Sequence, residues 1–314
     1  MAVALSHQPR PAAAPLPPLG KRVKRAIRYF AVRAAIAAAG AIPIRLARRL
    51  GEWFGALAFH VARGERRRAL EHLAIAFPEL PAQERRALAR RCFRHLGRSA
   101  FELCCVRQID RDLSAFVDFP AEDRAALERA LAAKKGVVLV TGHVGNWELL
   151  GRTLGLTGYP THTIAKESPD WRLTRLMSRF RDEGRIHVIW RGRDGAAKEM
   201  LRALRAGHIL GLLIDQDTRV QSVFVPFFGR LASTPRAAAD LALRSGAAVV
   251  MGFCRRQPDG RYRFNVEPVV PPIPERTEEA AVALTARLTE SIERAIRQSP
   301  EQWVWMHRRW KTQP

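Results

Sequence analysis

His143 and Glu148 lie five residues apart in the segment Gly142-His143-Val144-Gly145-Asn146-Trp147-Glu148, directly after the apolar run GVVLVT at 136–141. An imidazole that takes a proton from a hydroxyl works best when a carboxylate on its other nitrogen fixes the tautomer, so these residue types suit general-base catalysis. In one continuous helix, side chains five apart diverge by about 140°. Two glycines allow a sharp turn instead, with His143 in a loop at a strand's carboxyl end and Glu148 returning to it from the first turn of the next helix. Asn146 has the type and place of that helix's N-cap and is also a candidate substrate contact, while Trp147 belongs to the core.

Other residues could serve the same site. Asp215 and Asp217 follow the apolar run HILGLLID at 208–215. With no histidine or third carboxylate nearby they do not make a metal pair, and Asp215 is better suited to orienting basic groups. VFVPFFG, at 223–229, supplies Phe224, Phe227 and Phe228, which fit either the wall of an apolar pocket or a core loop. Arg308 and Arg309, in HRRWK at 307–311, could bind a phosphate or a headgroup, or simply end a basic helix. No serine sits in a GxSxG turn, and Cys92, Cys104, Cys105 and Cys254 show no ligand spacing, so neither a covalent nucleophile nor a zinc site is expected. The cysteines are expected to be buried thiols, consistent with a reducing compartment.

The elements that must position these residues follow from periodicity. Runs of strand length occur at 136–141, 161–166, 187–190, 208–215, 247–253 and 262–270. Helical stretches alternate with them at 121–133, 147–156, 171–184, 196–206 and 234–245, and after a Pro-rich connector at 268–274 a last helix covers 278–298. The expected fold class is α/β, with a mostly parallel central sheet flanked by helices, and ligands of such sheets gather at the carboxyl ends of the strands. Ahead of it, 65–118 reads as all-helical, with a break at Pro78 and a new helix opened by Pro81.

Residues 1–20, rich in Ala and Pro, read as a disordered tail rather than a signal peptide. Residues 21–64 read as basic amphipathic helices. Their longest charge-free run, 34–44, has 11 residues, short of the roughly 18 that a spanning helix needs. Arg and Lys flank apolar segments carrying Tyr29, Phe30, Trp53 and Phe54, the composition of a helix lying in an anionic interface on the cytoplasmic side; a helical hairpin packed on the rest of the protein and a short tilted span are the alternatives. Residues 65–314 then form one domain, helical to 118 and α/β from 119.

The chain has 314 residues with a formal charge of +23, and 46 of its 53 basic residues are arginine. With 47% apolar residues it is a packed globule rather than a disordered or disulfide-stapled chain. The charge favours anionic partners, yet clustered basic residues with interleaved aromatics are missing, so no nucleic-acid ligand is expected.

GHVGNWE resembles the His-x4-acidic motif of the glycerolipid-type acyltransferases, and in particular the bacterial lipid A biosynthesis acyltransferases, which include lauroyl and myristoyl transferases of the inner membrane. AFPEL (76–80), DQD (215–217), VFVPFFG, STP (233–235) and PEQWVWMHRRWKT (300–312) agree in order and spacing, extending the resemblance from about residue 26 to the end. It implies transfer of an acyl chain from an acyl-carrier-protein or coenzyme A thioester to a hydroxyl of a lipid A precursor, without a cofactor, at the cytoplasmic face of the bacterial inner membrane. A lysophospholipid, an aminolipid or another glycolipid is the alternative acceptor. The family's dyad carries over to His143 as general base and Glu148 as its orienting partner. Its helical arginine carries over to Arg179, with Arg181 close enough to compete, and its acidic residue after the fourth strand to Asp215.

Overall fold

A computed structural model describes residues 18–270 and 276–314 of the chain. Most of the tail expected at 1–20 lies outside them, and Leu19 and Gly20 already belong to the first helix. Helices α1 (Leu19–Gly40), α2 (Ile44–Val61), α3 (Arg63–Ala76) and α4 (Ala82–Cys104) make up the N-terminal third, followed by the short α5 (Val106–Arg111) and α6 (Leu113–Phe116). Strands and helices then alternate as β1 (Val117–Asp118), α7 (Ala121–Ala132), β2 (Val137–Thr141), α8 (Trp147–Leu156), β3 (Thr161–Ala165), α9 (Trp171–Glu183), β4 (Ile186–Trp190), α10 (Ala196–Arg205) and β5 (Ile209–Leu213). They continue as β6 (Ser222–Phe227), β7 (Arg230–Pro235), α11 (Ala237–Ser245), β8 (Ala248–Arg256), β9 (Tyr262–Val270) and α12 (Glu278–Gln298).

The main sheet has seven strands in the order β1-β9-β8-β2-β5-β3-β4, giving the expected α/β class. The run β8-β2-β5-β3-β4 is parallel; β9 pairs antiparallel with β8, and β1 lies parallel to β9. Every residue of β2 is buried, because both faces are covered. Val138 and Val140 point into one core and Val137 and Leu139 into the other. The helices start where local chemistry stops the backbone competing: Asn146, Asp170 and Thr277 each cap the helix that follows with a side-chain oxygen.

Four expectations need correction, the first being the all-helical reading of 65–118, whose last two residues form β1 beside β9. The helix predicted from Thr234 begins at Ala237, because Thr234 and Pro235 complete β7. VFVPFFG is not a loop: residues through Phe227 form β6, paired antiparallel with β7 in a separate two-stranded sheet. The connector expected at 268–274 is strand through Val270, and its remainder lies outside the described residues.

The amphipathic N-terminal helices are docked along one side. A Cβ on Gly51 or Gly55 of α2 would come within 2.6 Å and 2.2 Å of α4 backbone oxygens, and one on Gly97 of α4 within 2.2 Å of the Gly51 carbonyl. These glycines therefore let the two backbones touch. The outer faces stay bare: Val23, Ile27 and Phe30 on α1 and Trp53, Phe54, Leu57 and Val61 on α2 are exposed. Among the described residues no helix is long and apolar enough to cross a membrane.

Candidate active site

The loop between β2 and α8 is held by backbone contacts on two sides. Gly145 N–H donates to the Gln302 carbonyl (2.9 Å), Asn146 N–H donates to the Cys254 carbonyl (2.8 Å), and Val144 bridges to Trp303. Gly145 has φ +67°, and a Cβ there would lie 2.1 Å from the Cys254 oxygen, so both conformation and space demand glycine. Asn146 Oδ1 accepts from Leu149 N–H (3.1 Å), which makes it a buried N-cap rather than a surface awaiting a ligand.

This clamp leaves His143 at the carboxyl end of β2, its side chain one-fifth exposed and edge-on to Trp147. Its orienting carboxylate is Asp215, just past β5, not Glu148. Asp215 Oδ1 lies 2.8 Å from His143 Nδ1, and Oδ2 accepts from the His143 backbone N–H (2.7 Å) and from Trp303 Nε1 (2.7 Å). Burial alone would push the Asp215 carboxyl up. The charge attraction of His143 when it is protonated and the converging donors outweigh it and hold the group down at about 2. An ionised Asp215 can only accept, so Nδ1 carries a proton, and in the neutral ring it is Nε2 that keeps the lone pair.

Glu148 is taken by a different partner. Arg181 grips it bidentately, Nη2 to Oε1 at 2.6 Å and Nε to Oε2 at 3.2 Å, with both side chains largely buried. The expected His143–Glu148 pairing gives way because a guanidinium fork matches both carboxylate oxygens at once. The register of α9 that brings Arg181 inward is fixed from below: Arg152 of α8 chelates Asp110 and donates from Nη1 to the Phe180 carbonyl (2.7 Å). Arg179 makes no such contact. It is exposed, without a hydrogen-bond or ion-pair partner among the described residues, and together with Glu148 it lines an apolar groove of about 960 Å³ between α1, the α4–α5 junction and α9.

The remaining candidates separate from this site. Phe227 and Phe228 are buried against Trp303, Trp305 and Trp310, and Phe224 is exposed on the hairpin; none lines the groove, so they are not its wall. Arg309 is fully buried, donating to the Ser233 carbonyl and Thr234 Oγ1 (2.5 Å each), with burial lowering its proton affinity to about 10. It ties the C-terminal segment to β7 instead of meeting a headgroup. Arg308 is exposed. Asp217 binds the backbone N–H of Thr312 (2.9 Å) and the Lys311 ammonium (3.4 Å). The thiols of Cys92, Cys105 and Cys254 are buried and that of Cys104 partly so, and burial pushes all four up.

Sequence reasoning missed Trp303, the indole donor to Asp215, and Gln302, whose carbonyl holds Gly145. The only signal for either was the unusual Trp-Val-Trp run near the C-terminus.

Comparison with known proteins matches residues 19–312 to the model of the family described as bacterial lipid A biosynthesis acyltransferase. The chain is 29% identical to the lipid A biosynthesis lauroyltransferase of Escherichia coli K12, over 87% of this chain and 88% of that protein. It is 30% identical to the lipid A biosynthesis palmitoleoyltransferase of the same organism, over 84% and 85%. A phosphatidylinositol mannoside acyltransferase of Mycobacterium tuberculosis is 27% identical over 59% of this chain and 57% of its own length.

Proposed function

Because the chain belongs to the bacterial lipid A biosynthesis acyltransferase family, and is an acyltransferase, we propose that it moves a fatty acyl chain from a carrier-protein or coenzyme A thioester to a hydroxyl of a lipid A precursor. The observation that carries the mechanism is the His143–Asp215 contact, which leaves Nε2 of the neutral ring as the base. Nε2 takes the proton of the acceptor hydroxyl as its oxygen attacks the thioester carbonyl. The tetrahedral oxyanion develops beside Arg179, a cation on the groove wall without a partner among the described residues. The C–S bond then breaks and the departing thiolate takes the proton back from the imidazolium, so no acyl-enzyme forms. The Arg181–Glu148 pair shapes the end of the groove, whose apolar wall suits an acyl chain.

The enzyme works at the cytoplasmic face of the inner membrane. The exposed aromatic and aliphatic residues of α1 and α2, interleaved with Arg25, Arg28, Arg45 and Arg49, support docking on an anionic leaflet. Similarity to a phosphatidylinositol mannoside acyltransferase favours another glycolipid as the second acceptor class.

The test is a transfer assay with detergent-solubilised protein, a radiolabelled acyl-carrier-protein thioester, and a panel of lipid A precursors, lysophospholipids and glycolipids, wild type beside His143→Ala. Acylation of one acceptor class by the wild type, abolished in a folded His143→Ala, is expected. An equally fast variant would defeat the mechanism.

A further inference from the structure

A second cavity, of about 620 Å³, lies behind the catalytic loop, where α4 meets the ends of β8 and α12. Five arginines line it: Arg91, Arg94 and Arg98 from α4, and Arg255 and Arg256 from β8, against the carboxylates of Glu52 and Glu301. Glu52 is shared by Arg94 (3.2 Å) and Arg98 (2.9 Å), and Arg256 is held by the buried Glu102 (2.7 Å). Arg91 has no hydrogen-bond or ion-pair partner among the described residues. Arg255 has no carboxylate within ion-pair distance there; its only side-chain bond is from Nη1 to Gln298. Arg98, Arg255 and Arg256 each carry a buried Nε–H without a hydrogen-bond acceptor among the described residues.

Five guanidinium groups face two carboxylates in one concavity, and Arg91 and Arg255, neither of them in an ion pair among the described residues, call for an anion with several oxygens. Planar guanidinium forks converging from two elements can share the several oxygens of one tetrahedral phosphate, whose higher charge also answers the excess of cations here. Burial also lowers the proton affinity of Arg255, as expected for a cation short of a counter-ion.

Two residues of the cavity wall are bonded to the catalytic loop. Gln302 lines the cavity, pins Arg256 through its amide (Arg256 N to Oε1 2.8 Å, Nε2 to Arg256 O 2.9 Å), and accepts from Gly145 N–H. His95 lines it too, with Nε2 3.3 Å from the Gly145 carbonyl. A phosphate seated there would be one side chain, His95 or Gln302, away from the loop that carries His143.

We propose that this arginine-lined cavity is a binding site for the phosphate group of a substrate, and that it positions that substrate against the catalytic loop. Two substrates of the proposed reaction bring a phosphate: the phosphopantetheine arm of a thioester donor and a phosphorylated glycolipid acceptor. The choice of source rests on the acyl-transfer proposal; the site itself does not.

The test titrates full-length, detergent-solubilised protein with inorganic pyrophosphate by calorimetry, wild type beside the Arg91→Gln/Arg255→Gln double variant, with circular dichroism as a check on folding. Saturable binding that weakens with salt, and weakens about tenfold or more in the folded double variant, is expected. No saturable binding by the wild type, or equal affinity in both proteins, overturns the site. If the double variant fails to fold, Arg255→Gln alone is titrated against the same two criteria. Turnover then identifies the source. A KM raised about tenfold for an acyl-phosphopantetheine thioester, but not for the acyl-pantetheine lacking phosphate, assigns the donor; the same contrast between phosphorylated and dephosphorylated acceptors assigns the lipid. If neither KM moves, the claim that the anion belongs to a substrate is overturned. Absence of transfer to every acceptor defeats the acyl-transfer proposal, and pyrophosphate binding still decides the cavity.

Discussion

Replacing Asp215 with Asn tests the role of its charge while keeping its shape. Three donors converge on this carboxylate, and two of them, the His143 backbone N–H and Trp303 Nε1–H, share Oδ2. Neither can accept, so the asparagine amide must put its oxygen at the Oδ2 position and turn its NH2 toward His143 Nδ1. Nδ1 must then accept, the ring proton moves to Nε2, and the nitrogen that should take the hydroxyl proton is blocked. Loss of a positioned general base costs about 10² to 10⁴ in rate, so kcat/KM for acyl transfer is expected to fall within that range. Stability moves as well. The folded carboxyl is depressed from 3.8 to about 2, a contribution of about 2 kcal/mol. For a depressed acid this is complete above the unfolded value near 3.8 and is lost as pH falls through about 2. Asp215→Asn should therefore be less stable than wild type by about that amount at pH 7, with the gap closing below about pH 4. Steady-state rates, denaturant melts at pH 7 and pH 3, and ¹⁵N-histidine NMR make the assay. The protonated His143 nitrogen should switch from Nδ1 to Nε2. A folded variant with kcat/KM within about threefold of wild type, or an unchanged tautomer, refutes the reasoning.

Gly145→Ala forces a Cβ against the Cys254 carbonyl at positive φ, and is expected to lose at least about 2 kcal/mol in a thermal or denaturant melt, with transfer falling in parallel. Arg181→Gln leaves the largely buried Glu148 without its counter-charge; a loss of about 2 to 3 kcal/mol is expected, and Arg181→Lys should recover only part of it because an ammonium cannot bind both oxygens. The triple substitution Trp53→Ser/Phe54→Ser/Leu57→Ser removes exposed apolar surface from α2, and co-sedimentation with anionic vesicles should weaken about tenfold or more while the melt stays near wild type.

The order of elements was legible because it depends on local chemistry. Asn146 and Thr277 cap helices where a short polar side chain precedes an apolar period, and α8, β9 and α12 begin and end where periodicity put them. The hairpin was not legible, because Pro226 breaks a strand pattern, and a proline is tolerated there only because the two-stranded sheet leaves an edge for it. Phe227 and Phe228 look like pocket residues until the terminal tryptophans close over them, a contact spanning some 75 positions of sequence.

The orienting carboxylate was hidden for a related reason. Glu148 is near His143 in sequence, and nearness suggested a pair, but the site is assembled by strand neighbours. The β2–β5 register sets Thr141 opposite Leu213, so two residues further along the same parallel ladder His143 stands opposite Asp215. The acid that a strand-end histidine meets is thus chosen by which strand lies beside it, and in a sheet ordered β8-β2-β5-β3 the neighbour of β2 comes from 72 residues away. Glu148, displaced from that role, needed one particular cation among 46 arginines. Arg179 and Arg181, two apart on α9, lie about 200° apart around it, so only one can face the carboxylate; Arg152, bonding the Phe180 carbonyl between them, helps hold the rotation in which that one is Arg181.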